Sequence, residues 1–159
     1  MQTAQQIAKH FKETFFGGNW TAVSLKETLQ DITWQQATTK VYNFNTIATL
    51  VFHINYYVSG VLEIFKGKPL LIKDEFSFSH PPIDSKEDWD IFLASIFKDA
   101  KIVASEIEKL PENIFLKPFT NKKHGNYYRN LHGIIEHTYY HTGQIVLIKK
   151  IVQQENSNN

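Results

Sequence analysis

The chain has 159 residues, a formal net charge of +1 and no cysteine, so it can bury a hydrophobic core without disulfide bonds. Its basic residues are dispersed and Arg129 is the only arginine, which argues against a nucleic-acid partner, because nucleic-acid-binding proteins concentrate Lys and Arg on one face. The first twelve residues contain no apolar signal core, and no apolar run approaches the ~18 residues that span a bilayer. We therefore expect a soluble, cytoplasmic protein with neither nucleic acid nor a membrane as partner.

The N-terminal part of the chain is predicted to form a helix and a second, shorter helical run, which are either one kinked helix or two helices. The first helix covers residues 2–16, and Gly17-Gly18 ends it. Its inner face carries Ala4, Ile7, Ala8, Phe11 and Phe15. Asn19 is the predicted N-cap of the second run, whose apolar residues are Trp20, Val23, Leu25 and Leu29. Residues 31–37 are predicted to form a short capped turn that leads into a polar linker.

Two long helices are predicted in the middle of the chain. Asn45 is the predicted N-cap of a helix over residues 46–66. The apolar stripe of this helix consists of Ile47, Leu50, Val51, Ile54, Tyr57, Val58, Val61 and Phe65. Residues 67–84 have no helical period, so an irregular loop is predicted there. Ser85 begins a capping box for the next helix, which extends to about Leu110.

A loop over residues 111–125 leads to the last predicted helix, which covers residues 127 to about 153. Residues 154–159 lack an apolar face and are predicted to be a frayed tail. Neither strand pairs nor an internal repeat are indicated. Four long amphipathic helices bury their apolar faces most readily as a bundle. We therefore predict an all-α fold, a single-domain four-helix bundle over residues 1–159.

Three glycines, Gly60, Gly133 and Gly143, lie inside predicted helices. Each costs ~1 kcal/mol of helix stability relative to alanine. We expect these glycines to permit close contact between helices, either within the bundle or with a second subunit.

Two histidines on the last predicted helix indicate a metal site. His137 and His141 are four residues apart, so their side chains lie on one helix face about one turn apart. The other residues of this face are Ile134, Thr138, Ile145, Ile148 and Val152. Two inward-facing imidazoles at this spacing favour a shared metal ion, because histidine is the commonest metal ligand. The alternative is two core histidines, each hydrogen-bonded to a tyrosine or a backbone carbonyl.

A metal site needs at least one further ligand. The remaining histidines of the chain are His10, His53, His80, His124 and His132. His132 lies about 140° around the helix from His137 and faces away from it. His53 lies at the edge of the apolar stripe of its helix, where it can reach a site between helices; the alternative is a half-exposed histidine without a role. His80 lies in the irregular loop, and nothing in the sequence fixes its position. Thr138 stands where a His-Glu-x-x-His protease motif requires glutamate, so a zincin-type protease is not expected.

Three segments of the chain resemble a known family. They are residues 126–145 (NYYRNLHGIIEHTYYHTGQI), residues 45–57 (NTIATLVFHINYY) and residues 18–29 with Gly-Asn-Trp at their start. Over nearly the whole chain, the sequence resembles the DinB-like superfamily of bacterial four-helix bundles. The resemblance implies a left-handed, up-and-down-type bundle with one long crossover, often dimeric, that binds one divalent metal ion. The ligands that it implies are His53, His137 and His141.

The resemblance does not imply a single reaction, because some members resemble thiol S-transferases or a thiol-dependent isomerase and others resemble metal-dependent hydrolases. Three imidazoles on a zinc, nickel, iron or manganese ion leave coordination positions for water or substrate, which is the pattern of a catalytic site. Hydrolysis would also need a carboxylate near these positions. Glu136 points about 160° away from the histidine face, and Glu63 lies more than two turns from His53. The sequence thus offers no convincing general base.

We therefore expect a metal-dependent, thiol (S-)transferase-like enzyme that acts on a small-molecule substrate, with a low-molecular-weight thiol as the group transferred. Thiol transfer needs fewer protein acids, since the metal itself activates the thiol. Tyr56, Tyr57 and Tyr140 can orient the acceptor; the alternative is that they pack with their hydroxyls at the rim of the site. The alternative functions are a metal-dependent hydrolase and a non-catalytic metal-binding or stress-related module.

Overall fold

The computed structural model describes residues 2–157, which form α-helices and short 3-10 turns but no strand. The helices are α1 (Thr3–Phe16), α2 (Leu25–Leu29), α3 (Trp34–Thr38), α4 (Ile47–Phe65), α5 (Lys86–Glu108) and α6 (Tyr127–Ser157). The 3-10 turns are Asp74–Phe76, Glu112–Ile114 and Lys122–His124. The predicted all-α fold class is confirmed.

The four long helices contact each other in cyclic order, with α1 on α5, α5 on α4, α4 on α6 and α6 on α1. The two short helices α2 and α3 lie in the connection between α1 and α4, and both contact α6. Buried apolar side chains from all six helices form one hydrophobic cluster. Its largest fully buried members are Phe11, Phe15, Leu25, Ile47, Ile54, Ile96, Ile107, Leu131, Ile135 and Ile145. Each such side chain contributes about 1.5–3 kcal/mol by leaving water, and together they hold α4 and α6 side by side.

Hydroxyl side chains cap the helices α2, α3, α4 and α5. Ser85 accepts a hydrogen bond from the backbone N–H of Asp88, as predicted. The predicted cap of α4 is wrong by one residue, because Thr46 and not Asn45 accepts from the third helical N–H. The capped turn predicted at residues 31–37 is the short helix α3, which begins with a capping box of Thr33 and Gln36.

The helical run predicted from Asn19 is wrong, because α2 begins only at Leu25 and Ser24 is its N-cap. Asn19 instead braces a loop, since its side-chain amide donates to the carbonyls of Glu13 and Val23. This loop leaves the side chain of Trp20 99% exposed. The left-handed backbone at Ala22, with a φ of 52°, is incompatible with a helix running from Trp20 to Leu29.

Helix α4 is long and apolar enough to cross a membrane by length and composition alone, and 56% of that stretch is buried inside the protein. The expectation that no segment reaches this length is therefore wrong for Ile47–Phe65. The buried side chains of α4 belong to the hydrophobic cluster, as in the core helix of a soluble protein.

The three helical glycines do not share one role. A Cβ on Gly60 would lie 2.8 Å from a methyl of Ile72, so this glycine lets the loop after α4 approach the helix. Gly133 and Gly143 have open space where a Cβ would stand, and the predicted close helix contact at these two positions is wrong within the chain. Helix α6 continues past its predicted end to Ser157, because neither Pro nor Gly follows residue 153. Residues 158 and 159 of the predicted frayed tail lie outside the described residues.

Candidate metal centre

Helices α4 and α6 bring three histidines together. His53 lies on α4, and His137 and His141 lie one turn apart on α6. The ligand nitrogens of the three imidazoles all lie within 4.8 Å of one another. His53 and His141 are buried, and His137 is half-buried. The apolar neighbours of these residues on both helices face the core, which fixes the side of each helix that carries the histidines.

The geometry of the cluster fits a single metal ion. The Nε2 atoms of His53 and His137 are 3.1 Å apart. Two nitrogen ligands at about 2.0–2.1 Å from one tetrahedral ion are separated by about 3.3 Å. The spacing of these two nitrogens is therefore close to that of two ligands on one ion. Among the residues that the structure describes, these three histidines are the one group of metal-ligating side chains that lies this close together.

A protein acceptor orients the imidazole of His141. Its Nδ1 lies 2.7 Å from the amide oxygen of Gln144. An amide oxygen only accepts, so Nδ1 carries the hydrogen and the Nε2 lone pair is free for a metal. The amide nitrogen of Gln144 in turn donates to the hydroxyl of Tyr140 over 3.3 Å.

Burial keeps the three imidazoles uncharged at neutral pH. For His137, burial and the neighbouring His141 and His53 lower the pKa from 6.5 to about 4. Burial also lowers the pKa of His53, with a further contribution from His141. The pKa of His141 is lowered by burial, and its hydrogen bond to Gln144 partly opposes this effect. Neutral imidazole is the form that binds metals, so the cluster does not have to lose protons at pH 7 before it binds an ion.

A carboxylate from the loop after α4 lies next to the cluster. The Tyr57 hydroxyl donates to Asp74 Oδ1 over 2.6 Å, and the Tyr57 ring lies edge-on to the ring of His137 with centroids 4.8 Å apart. The Tyr57 hydrogen bond lowers the pKa of Asp74, while burial and Asp74 raise the pKa of Tyr57 to about 12. An ionised carboxylate and a protonated phenol therefore stand beside the histidines.

Sequence spacing points only to Glu136 and Glu63 as carboxylates near the site, whereas the structure places Asp74 closer to the histidines. Glu136 is exposed, and Glu63 forms ion pairs with Lys66 and Lys68. The sequence could not indicate Asp74, since helical spacing says nothing about side-chain directions in an irregular loop.

Aromatic rings surround the histidines. Phe78 stacks on the His53 imidazole at a centroid distance of 4.1 Å and an interplanar angle of 14°. Tyr140 lies edge-on to His141 at 4.8 Å. A cavity of about 320 Å³, which has the size of a small-molecule pocket, is lined by Gln144, the partner of His141, but by none of the three histidines. Its lining residues are Asn43, Phe44, Asn45, Leu50, Gln144, Leu147 and Ile148.

The other four histidines lie outside the cluster. His132 faces away from it, as predicted, and contacts the rings of Tyr128 and His10. His80 Nδ1 bonds the carbonyl oxygen of Pro81, and His124 is exposed in a 3-10 turn. Tyr56, predicted as a possible orienting residue, accepts a hydrogen bond from the backbone of the loop at Lys73 instead.

Comparison with protein-family models, with curated proteins and with solved structures finds no match to this chain. The DinB-like resemblance accordingly stays a prediction.

Proposed function

We propose that the protein binds one divalent metal ion through His53, His137 and His141. We further propose that it is an enzyme whose reaction depends on this ion. The observation that carries this proposal is the convergence of three uncharged imidazoles within 4.8 Å. Each buried imidazole loses hydration, and a shared ion would compensate all three at once. Zinc, nickel, iron and manganese all suit such a nitrogen set.

The reaction that we propose is thiol transfer to an electrophilic small molecule. A divalent ion with three imidazole ligands keeps coordination positions open and supplies Lewis acidity there. In the reaction, the thiol loses its proton, its sulfur forms a bond to an electrophilic carbon, and the leaving group departs with the bonding electrons. Asp74 is the acceptor that the chain offers for the proton. Phe78, Tyr57 and Tyr140 pack against the imidazoles, and the cavity lined by Gln144 can hold the apolar part of the acceptor.

Metal-dependent hydrolysis is the second candidate, and Asp74 is the observation that favours it. Hydrolysis requires a base that removes a proton from water, which typically contributes 10²–10⁴-fold to the rate. The Asp74 carboxylate is ionised and lies in the loop that contacts the cluster. A thiol is far more acidic than water, so thiol transfer depends less on this base.

One set of assays separates these candidates. The metal-loaded protein is tested for conjugation of low-molecular-weight thiols to a chloroarene or an epoxide, and for hydrolysis of activated esters and amides. The variant Asp74→Asn should reduce a hydrolytic rate about 100-fold or more and a thiol-transfer rate much less. Glu75→Gln, a change at an exposed carboxylate of the same turn, is the matched control. Metal binding without turnover of either substrate class would instead support a non-catalytic metal-binding module.

We further propose that the four long helices form a four-helix bundle of the DinB type in a cytoplasmic protein that pairs as a homodimer. The cyclic packing order of α1, α5, α4 and α6 supports the bundle. The open space at Gly133 and Gly143 leaves room on α6 for a second subunit. Light scattering after size exclusion tests the dimer: a dimer mass for the wild type and a monomer mass for Gly143→Leu are expected, and a wild-type monomer contradicts the pairing.

A further inference from the structure

The segment that follows α4 folds back along this helix and contacts it at successive points. The contacts pair Gly60 with Ile72, Tyr56 with Lys73, Tyr57 with Asp74 and His53 with Ser77. From the first contact to the last, the helix partner falls from Gly60 to His53 while the loop partner rises from Ile72 to Ser77, so the loop runs antiparallel to α4 toward the metal cluster. Its position is therefore fixed by several side chains, although its backbone is irregular.

At the end of this path, Ser77 meets the outer nitrogen of His53. Ser77 is fully buried, and its Oγ lies 2.9 Å from His53 Nδ1. The same hydroxyl donates its hydrogen to the backbone carbonyl oxygen of Asp74 over 2.7 Å. A serine hydroxyl has a single hydrogen, so Ser77 must accept from His53, and Nδ1 must carry the imidazole hydrogen.

The opposite tautomer would disable the site. With its hydrogen on Nε2, His53 would donate to His137 Nε2 across the 3.1 Å gap, and its Nε2 would have no lone pair to offer a metal ion. With Nδ1 of His53 committed to Ser77, the hydrogen between these nitrogens can come only from His137. Phe78, the residue after Ser77, stacks on the His53 ring and restrains its rotation.

We propose that Ser77 is a positioning residue of the metal site, which selects the Nδ1–H tautomer of His53 and presents Nε2 to the ion. The effect of Ser77 on metal binding rests on the proposed function. The tautomer of His53 does not. Loss of such outer hydrogen-bond partners typically weakens metal binding 10–100-fold. The loop after α4 is thereby part of the metal site although it supplies no ligand.

The first test is the tautomer of His53 in the metal-free wild type, read from long-range ¹H–¹⁵N correlations of the imidazole at pH 7. Protonated Nδ1 and unprotonated Nε2 are expected. A hydrogen on Nε2 in the wild type would overturn the inference whether or not the protein binds a metal. This readout separates the inference from the proposed function, whose own failure would appear as the absence of metal binding.

The second test is the Zn²⁺ affinity of variants, measured by competition with a chromogenic chelator, with circular dichroism as the check on folding. Ser77→Ala should weaken binding about 10–100-fold, and Ser77→Thr, which keeps a hydroxyl, should restore most of it. Ser79→Ala, at an exposed serine of the same loop, should leave the affinity unchanged. A folded Ser77→Ala protein with wild-type affinity would contradict the proposal; should this variant fail to fold, the wild-type tautomer decides.

Discussion

Helix α6 takes part in two histidine clusters, and only one of them has the geometry of a metal site. In the first, His137 and His141 meet His53 with ligand nitrogens within 4.8 Å. In the second, His132 meets His10 with ring centroids 6.5 Å apart and the rings edge-on. Burial lowers the pKa of His132 as it lowers those of the first cluster. A lowered histidine pKa therefore does not by itself mark a metal site.

The two clusters differ in what the imidazoles contact on the side away from the other histidines. In the first cluster, Ser77 and Gln144 engage the Nδ1 atoms of His53 and His141, so that their Nε2 atoms can point at a common centre. In the second cluster, His132 packs against the ring of Tyr128, and His10 packs against Tyr139. Packing between rings fills space, whereas a hydrogen bond to one ring nitrogen selects the tautomer of the imidazole and fixes its orientation.

The largest effect expected from this comparison is the loss of a ligand. His141→Ala should weaken Zn²⁺ binding by more than about 100-fold, since a ligand contributes more than the outer-shell partners that cost 10–100-fold. His132→Ala, on the same helix, should leave the affinity unchanged. Isothermal titration with both variants measures the contrast, and equal losses would show that the two clusters do not differ as described.

A smaller loss of Zn²⁺ affinity is expected when Gln144, which accepts the hydrogen bond of His141, is replaced. Gln144→Ala should weaken Zn²⁺ binding about tenfold, toward the lower end for outer-shell partners, because water can replace the amide near the half-exposed rim. Gln144→Glu keeps an acceptor oxygen and should bind at least as well as the wild type. Competition with a chelator measures both variants. Weaker binding by Gln144→Glu than by Gln144→Ala would contradict the role of this oxygen.

The last effect is a pH dependence of stability in the metal-free protein, which concerns folding and not the affinity for a metal. The unfolded chain protonates His137 below about pH 6.5, whereas the folded chain does so only near its lowered pKa of about 4. The unfolding free energy should therefore fall as the pH is lowered through this window, by at most about 1.4 kcal/mol per pH unit for this one group. Urea unfolding with a chelator present measures the slope. His137→Gln should flatten it, and parallel curves for the two proteins would refute the assignment.

The three-histidine group could be predicted from the sequence because helices are periodic. The four-residue spacing of His137 and His141 and the edge position of His53 follow from about 100° per residue, although the choice of His53 over His80 also depended on the family resemblance. Asp74 and Ser77 were not accessible, since residues 67–84 have no period from which a side-chain direction could be read. The loop is positioned by tertiary contacts with Gly60, Tyr56 and Tyr57.

The errors in helix boundaries have the same origin. Asn45 and Thr46 are both good N-caps, and only the backbone of the folded chain shows that Thr46 accepts the hydrogen bond. The apolar side chain of Trp20 predicts a place on a helix face, yet the loop braced by Asn19 leaves it in solvent. Local residue preferences permitted several answers at these positions, and long-range packing selected among them.

The central claim is tested most directly by the metal content of untagged protein, measured by elemental mass spectrometry for the wild type and the His137→Ala/His141→Ala double variant. We predict about one divalent ion per chain in the wild type and none in the double variant, with the helical circular dichroism spectrum retained. A wild-type protein that holds no ion after loading with zinc, nickel, iron or manganese would contradict the account and leave the three histidines as core residues.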